Sequence, residues 1–445
     1  MQKAVRDVGM VLDWMGGTKQ LLEADDPQFK AIAMQKLNIQ TDAEWEAERI
    51  RLLQQLNTSM GNAQNHAVKT VQAGVPQSSA PYVPSEQFGA VFQSAMEEHL
   101  NDRLTSAALA KEAGTSPPYG PPEKFDSGDL GWSVVLLARL EERLKGKHVF
   151  VHSPDFTVFR YDMPDSTSVA LFADWATGEA PALTIKAAIE KQSPEYTIHL
   201  GDTYYAGFGD EISHNLVSCW PGGVKYGKSF TLNGNHEMYS GGNAYFNILP
   251  LFGHPASYFN LGNQHWRLIA LDTSWCERAG DTPASSLGEL VNLQVDWLKA
   301  QIAHAQTFNP PARIILLTHH QLFSAFDGDG LGKYLLPQVK PFLDNDSIYA
   351  WYWGHEHRGI VYDQNETYKF RARCMGHGGF PYPPDPDDKQ PAHLQQFPIL
   401  WREQRPEPGN AWYGMRGFAM LRFNAAQAKV DYIDQTGATA FSETW

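Results

Sequence analysis

The segment YTIHLGDTYY, residues 196–205, joins an apolar stretch to a short polar cluster. Its first five residues are rich in aromatic and β-branched side chains, which predicts a buried strand. Gly201 then allows a tight backbone turn, and Asp202 follows it directly. Ligands of α/β proteins bind beyond the carboxyl ends of strands, so the position of Asp202 indicates a functional site.

The same order, an apolar strand and then a polar residue, recurs along the chain. The five pairs are 168–172 with Asp174, 196–200 with Asp202, 229–232 with Asn235, 312–317 with His319, and 348–353 with His355. An ordinary core does not need so many carboxylate, amide and imidazole groups at strand ends. A site for two metal ions does, because it draws its ligands from these groups.

The remaining pattern from about residue 130 predicts mixed sheets covered by helices. Strands and helices alternate, and the last two strands form an antiparallel pair that ends the domain. The further predicted elements are helices at 134–144, 182–191 and 287–305, an extended segment at 148–161, a hairpin at 258–272, and strands at 417–423 and 429–433.

Residues 1–126 show interrupted helical patterns and are predicted to be a helical N-terminal region. A catalytic domain is predicted at 127–445. Thr41 and Glu44 fit a capping box at the start of one of these helices. Residues 73–84 and 114–129 are rich in proline and glycine or serine and indicate linkers or loops. Two interpretations of the region stay open: a module that binds protein, or a helical extension that packs on the catalytic domain.

Composition excludes several classes of protein. The 445 residues carry a formal net charge of −14, which argues against a non-specific nucleic-acid binder. The three cysteines are odd in number and widely spaced, so no disulfide framework is expected and a cytoplasmic location is favoured. We find no pattern of a signal peptide and no transmembrane segment, since every apolar run is far shorter than the roughly 20 residues of a membrane span.

The polar residues can supply the bridge, the ligands and the proton donor of a dinuclear site. Two cations about 3.5–4 Å apart clamp a phosphate and lower the pKa of a bridging water, and one carboxylate must bridge them. Asp202 is the natural bridge. His355 and His357 stand two residues apart, so on an extended segment they point the same way. Asn235 offers a neutral carbonyl ligand, and His236 is free to protonate a leaving oxygen.

The order D…GD…GNHE…H…GHxH over residues 168–436 resembles the calcineurin-like metallophosphoesterases. The resemblance implies an α/β fold (α+β), a four-layer αββα sandwich with two mixed β-sheets. In detail the motifs are most similar to purple acid phosphatases: Ala176 replaces the usual histidine of the first motif, and the second motif has the form GDxxY. The implied ligands of the first metal are Asp174, Asp202, Tyr205 and His357; those of the second are Asp202, Asn235, His319 and His355.

The chain also departs from that family. The first motif reads ADWA instead of GDxG, and no further histidine follows in residues 321–329, which leaves His320 as the candidate for a second acid/base group beside His236. His377, on a glycine loop, and Arg358 are candidates for binding the substrate phosphate. For His377 the alternatives are a hydrogen bond to a metal ligand and a structural role in the loop, and for Arg358 an ion pair with a surface carboxylate. For Tyr205 the alternative is a buried, hydrogen-bonded tyrosine.

The sequence therefore predicts a metal-dependent hydrolase of phosphoric esters, with a phosphorylated small molecule as substrate. It would hold two metal ions, iron paired with iron, manganese or zinc, and use a metal-bound hydroxide as nucleophile. A phosphomonoester is preferred. The alternatives are a phosphodiesterase that acts on cyclic nucleotides or phospholipid head groups, and a non-catalytic binding protein on the same scaffold.

Overall fold

The structure is a computed structural model that describes residues 30, 41–47, 49–50, 138, 142, 146–276, 287–326, 332–364, 367–382, 384 and 397–445, of which 410–412 by backbone alone. The chain divides into two compact units, Met1–Leu140 and Glu141–Trp445. Within the part described, no helix has the length and apolar character needed to cross a membrane. The two linkers predicted at 73–84 and 114–129 lie outside the described residues, and the predicted boundary after residue 126 stays a prediction.

In the first unit, the predicted capping box is confirmed. The Glu44 backbone N–H donates to Thr41 Oγ1 at 3.2 Å, and the Thr41 N–H donates to Glu44 Oε2 at 3.0 Å. Each side chain therefore satisfies an N–H that the first turn of a helix leaves without a partner. Residues 42–47 are helical, as this pattern requires.

The second unit alternates strands and helices. Its strands are β1 Arg160–Asp162, β2 Ser166–Phe172, β3 Tyr196–His199, β4 Ser229–Thr231, β5 Phe259–Gly262, β6 Trp266–Ala270, β7 Arg313–Leu317, β8 Ala350–Trp353, β9 Gly359–Tyr362, β10 Arg371–Met375, β11 Ile399–Arg402, β12 Pro406–Glu407, β13 Asn410–Gly414, β14 Gly417–Asn424, β15 Gln427–Asp434 and β16 Thr439–Thr444. Its helices are α1 Ala180–Gln192, the short turn α2 Gly209–Glu211 continued by a π-helix at Ile212–Val217, α3 Asn235–Met238, α4 Asn243–Phe252, α5 Asn292–Ala305 and α6 Leu335–Asp344.

Two mixed sheets are formed by the described strands. One has six strands in the order β16-β15-β14-β2-β3-β4, and the other eight in the order β1-β5-β6-β7-β8-β10-β9-β11; a separate pair is β12-β13. The strands β2, β3 and β4 run parallel, as do β6, β7 and β8. Parallel neighbours bring their carboxyl ends to the same edge, so each sheet gathers its polar strand ends on one side.

The sheets pack face to face and each carries helices on its outer face. Along β2, Val169 and Leu171 enter a core shared with the eight-stranded sheet, whereas Ala170 and Phe172 pack toward α1 and α4. A third core lies between the eight-stranded sheet and the helices α5 and α6. Because both faces of the central strands are covered, these strands read as continuous apolar runs. The four-layer αββα arrangement predicted from the resemblance is confirmed.

Three predicted elements differ in extent. The helix predicted from residue 287 begins at Asn292, because the preceding backbone bonds elsewhere: Glu289 N–H donates to Thr273 O at 3.1 Å. The segment 148–161 is extended only at its end, and Asp155 Oδ1 accepts the Thr157 N–H to form a local turn. The pair β14–β15 is antiparallel as predicted, but β16 follows it and forms the sheet edge.

Candidate metal centre

The polar residues predicted at five strand ends meet between the two sheets. Asp174, Asp202 and Asn235 follow β2, β3 and β4 of the six-stranded sheet, while His319 and His355 follow β7 and β8 of the other. All of them are held at the ends of buried strands. Ligand atoms from both sheets fall into two adjoining clusters.

The backbone is strained at three of these positions. Asp174, Asp202 and His355 have φ values of 52°, 76° and 62°, in the left-handed region that side chains other than glycine rarely adopt. Each such residue costs about 1–3 kcal/mol, and such residues concentrate at functional sites. Asp174 and Asp202 reach residues of the opposite sheet: Asp174 Oδ2 accepts the His355 N–H at 2.9 Å, and Asp202 Oδ1 lies 3.3 Å from His319 Nε2.

The first cluster, here called the tyrosine cluster, consists of Asp174, Asp202, Tyr204 and His357. The ligand atoms of Asp174, Asp202 and His357 lie within 4.8 Å of one another. The Tyr204 hydroxyl lies among them, 3.0 Å from Asp174 Oδ1, 3.2 Å from Asp202 Oδ2 and 3.0 Å from His357 Nε2. Burial and the two carboxylates hold the pKa of Tyr204 well above its usual value in the metal-free protein.

The tyrosine in this position is not the one that the sequence motif predicted, and the role of Tyr205 as a ligand stays a prediction. The motif GDxxY pointed to Tyr205, but the phenol among the carboxylates belongs to Tyr204. The Glu211 carboxylate accepts the backbone N–H groups of Tyr205 and Ala206 and so fixes the loop. In that conformation the Tyr205 carbonyl faces His236, whose Nδ1 lies 2.5 Å away.

The second cluster, here called the imidazole cluster, consists of His319, His320 and His355 together with Asn235. The ligand atoms of the three histidines also lie within 4.8 Å of one another. His319 Nε2 is 3.0 Å from Asn235 Oδ1 and 3.3 Å from Asp202 Oδ1. Asp202 therefore directs one carboxylate oxygen to each cluster, Oδ1 to His319 and Oδ2 to Tyr204.

Hydrogen bonds behind the imidazole cluster orient its members. His319 Nδ1 lies 3.0 Å from the Leu200 carbonyl, so Nδ1–H donates there and Nε2 faces the cluster. The Asn235 amide donates from Nδ2 to the Tyr239 hydroxyl at 2.5 Å, which directs Oδ1 inward. Tyr239 follows Asn235 by four residues on one helix, where such side chains are neighbours.

The clusters favour a cation electrostatically. Although burial opposes protonation of His319, the charge and hydrogen bond of Asp202 raise the pKa of His319 to about 9. In the metal-free protein a proton is thus held where Asp202, Asn235 and His319 converge. Hard carboxylate oxygens with imidazole nitrogens are a donor set that suits divalent iron, manganese or zinc, so the residues fit two metal ions.

His236 lies beside the clusters. Its backbone N–H donates to Asp202 Oδ1 at 3.1 Å, and its Nδ1 is bonded to the Tyr205 carbonyl. Nε2 is then the nitrogen left toward the centre, 3.6 Å from Asp202 Oδ2. Burial lowers the pKa of His236 against the attraction of Asp202. The arrangement places an imidazole nitrogen at the centre without making it a member of either cluster.

His320 occupies a different environment from the one expected of a second acid/base group. It is buried, its Nδ1 lies 2.9 Å from Thr273 Oγ1, and its ring packs on that of His355 at 4.6 Å between centroids. Burial and the neighbouring His355 hold the pKa of His320 well below its usual value. These contacts suit a residue that supports His355, so its catalytic role stays a prediction.

The two residues predicted to bind the substrate phosphate have other contacts. The His377 imidazole is buried, and a methyl group added at Gly359 would lie 2.6 Å from its Nε2. Burial lowers the pKa of His377 to about 4. The Arg358 guanidinium lies over the Phe326 ring at 4.2 Å, and its Nε is 3.8 Å from Glu356 Oε1. These contacts do not test phosphate binding, so both assignments stay predictions.

Sequence reasoning missed Tyr204, Tyr239, Thr273 and Phe380, which contact the predicted residues. Only Tyr239 carries a signal in the sequence, because its spacing of four from Asn235 places both on one helix face. The contact of Thr273 with His320 joins residues 47 positions apart. Such long-range pairs have no pattern that a single sequence reveals.

Part of the chain is similar to a known family. The family model of calcineurin-like phosphoesterases matches residues 167–359, a segment that contains both clusters and His236. The comparison with curated protein sequences found no match.

Solved structures with this architecture are distant from the chain. A purple acid phosphatase from seeds of yellow lupin, Lupinus luteus, is 15% identical with a TM-score of 0.47; the match covers 63% of this chain and only 54% of the lupin protein. GAP50, the anchor in the inner membrane complex of Plasmodium, is 13% identical with a TM-score of 0.46, and the match covers 62% of this chain and 88% of that protein.

Proposed function

We propose that the protein is a hydrolase of phosphoric esters that uses two metal ions. The observation that carries this proposal is the position of Asp202, whose carboxylate oxygens face the tyrosine cluster on one side and His319 on the other. A carboxylate shared between two ligand sets is what a dinuclear centre requires. The family match over residues 167–359 supports the same class of reaction.

The ligands divide between the two ions as follows. The first ion is assigned to the tyrosine cluster, and the second to Asp202 and the imidazole cluster; the sets are Asp174, Asp202, Tyr204 and His357, and Asp202, Asn235, His319 and His355. His320 is left out of the second set because the resemblance implies only His319 and His355 as histidine ligands of that ion. When bound, the two ions would hold phosphoryl oxygens and activate a water as nucleophile.

The chain's own residues then account for proton transfer. His236 presents Nε2 at the edge of the clusters, while its Nδ1 donates to the Tyr205 carbonyl. Once its Nε2 is also protonated, an imidazole held in this way can give that proton to the departing alkoxide of a phosphate ester. We assign His236 as the general acid and a phosphomonoester as the preferred substrate.

The proposal is tested by restoring metals to the metal-free, full-length protein. Nitrophenyl phosphate and bis(nitrophenyl) phosphate are assayed after addition of Mn(II), Fe, Zn(II) or Ni(II), with bound metal measured in parallel. We expect hydrolysis to return as the second equivalent binds, with the monoester cleaved faster. Faster cleavage of the diester would instead establish the phosphodiesterase alternative. Two bound equivalents without hydrolysis of either ester would favour the binding protein.

A spectroscopic prediction separates the two adjacent tyrosines. A phenolate is a hard anionic oxygen donor suited to Fe(III). If Tyr204 is the ligand, iron-loaded, oxidised protein is coloured by phenolate-to-iron charge transfer, and Tyr204→Phe removes the visible band. Tyr205→Phe is the matched control and is expected to keep it, because the Tyr204 hydroxyl is the one among the carboxylates.

Two results would contradict this assignment. Loss of the band in Tyr205→Phe but not in Tyr204→Phe would restore the motif-based prediction. Colourless wild-type protein that binds two iron equivalents and turns over would exclude a phenolate ligand. The two-metal hydrolase would survive that second result.

A further inference from the structure

We propose that Phe380 is a positioning residue for the first metal ion. In this role it holds the His357 imidazole and the Tyr204 phenol in the orientation in which both face Asp174. The inference rests on the proposed function, because it concerns the ion assigned to the tyrosine cluster. It adds a residue that no ligand motif contains.

The Phe380 ring packs against two members of the tyrosine cluster at once. Its centroid lies 3.8 Å from that of the His357 imidazole at an interplanar angle of 23°, which is a close stacked contact. The Tyr204 ring is 4.9 Å away at 42°. Phe380 therefore limits rotation of the His357 ring about χ2, the torsion that aims Nε2, and restricts the χ1 motion that would displace the Tyr204 hydroxyl.

The ring is itself held against the cluster by its backbone. The Phe380 N–H donates to the Asp174 carbonyl at 2.9 Å, and the Gly378 N–H donates to the Ala173 carbonyl at 3.1 Å. The loop also lies very close to the strand end: a methyl group added at Gly378 would be 2.3 Å from the Ala173 carbonyl oxygen. Two backbone hydrogen bonds thus hold the segment that contains Phe380 against the segment that contains Asp174.

His357 needs such support more than His319 does. His319 is aimed by a hydrogen bond from its Nδ1 to the Leu200 carbonyl. Among the described residues, His357 has hydrogen-bond contacts through Nε2 but none through Nδ1, and its side chain is 27% exposed. Ligating histidines usually have their second nitrogen anchored, and loss of such an anchor costs 10–100-fold in metal affinity. For His357, packing against Phe380 fixes the ring orientation in place of such a hydrogen bond.

The test compares Phe380→Leu with Phe380→Tyr and Phe397→Leu in full-length, metal-free protein. Leucine keeps apolar volume without a flat ring, and tyrosine restores the ring. Phe397 is the matched control because it also stacks on an aromatic ring, Phe323, at 4.3 Å, in the core beside the eight-stranded sheet. Stepwise Mn(II) or Zn(II) binding is measured by calorimetry, and the step of the first ion is the one lost in His357→Ala.

We expect Phe380→Leu to weaken the first step by roughly tenfold or more while the second step changes little. Phe380→Tyr should restore it, and Phe397→Leu should lower thermal stability without changing either step. Equal first-step affinity in Phe380→Leu and wild type, or equal weakening in Phe397→Leu, would overturn the positioning role.

A second readout does not depend on metal. In metal-free protein with labelled histidine, the ring protons of His357 should be shifted by the Phe380 ring current, and Phe380→Leu should remove that shift. If the wild-type protein binds no second ion, the proposed function fails. The His357 resonance then tests by itself whether Phe380 positions the His357 ring. An unaltered His357 resonance in Phe380→Leu would then overturn the inference; loss of the shift would support it.

Discussion

Replacement of Asp202 by asparagine is expected to remove at least one of two metal equivalents and to reduce turnover by roughly 10²–10³-fold or more. The physical reason is the shared position of its carboxylate, with Oδ2 directed to the tyrosine cluster and Oδ1 to His319. An amide has nearly the same shape but no charge, so two cations would face one neutral ligand. Metal content by elemental analysis and the hydrolysis rate measure the two effects.

Asp272→Asn is the matched control for that variant. Asp272 is also buried and follows β6 of the eight-stranded sheet. Its Oδ1, however, accepts the backbone N–H groups of Ser274 and Trp275. Its replacement should lower stability and leave metal content unchanged. Two full equivalents and a near-normal rate in Asp202→Asn would exclude Asp202 as the bridge.

The second large effect is expected for His236→Ala. Both metal ions should stay bound, because His236 belongs to neither cluster, while kcat falls by roughly 10²–10⁴-fold for an alkyl phosphate with a poor leaving group. Nitrophenyl phosphate should suffer less, since nitrophenolate leaves without prior protonation. The diagnostic measurement is therefore the fold-loss of kcat for the alkyl phosphate divided by the fold-loss of kcat for nitrophenyl phosphate.

His254→Ala provides the comparison for His236. His254 is buried, and its imidazole bonds the Thr231 N–H and the Ala256 carbonyl instead of the metal centre. Its loss should reduce stability and affect both substrates alike. If His236→Ala lowers the two rates by the same factor, the general-acid assignment is wrong and His236 acts by holding Asp202.

The strand ends were the most predictable part of this protein. Apolar runs that lead into Asp174, Asp202 and His319 are local in sequence, and burial on both faces makes them continuous. Their bounds in the structure agree with the predicted ones to within two or three residues, as for β2 at Ser166–Phe172 and β7 at Arg313–Leu317. The helix at 287–305 was less predictable, because hydrogen bonds from Glu289 to distant residues delay its start.

The choice between Tyr204 and Tyr205 shows where local reasoning ends. The two residues are adjacent and chemically identical, so no pattern of residue types can rank them. The conformation of their loop is set by the Glu211 carboxylate, which accepts three of its backbone N–H groups, and by Asn215, which donates to the Tyr204 carbonyl at 2.9 Å.

The sequence by itself therefore determined the class of fold and most of the residues that meet in the two clusters, because strand periodicity and side-chain type are local properties. Only the tertiary structure decided how those residues combine. It joined Asp202 of one sheet to His319 of the other, brought the Tyr204 hydroxyl to Asp174 and His357, and placed Phe380 against His357. These are contacts between chain segments far apart in sequence, and they depend on how the two sheets pack and on how a few loops are held.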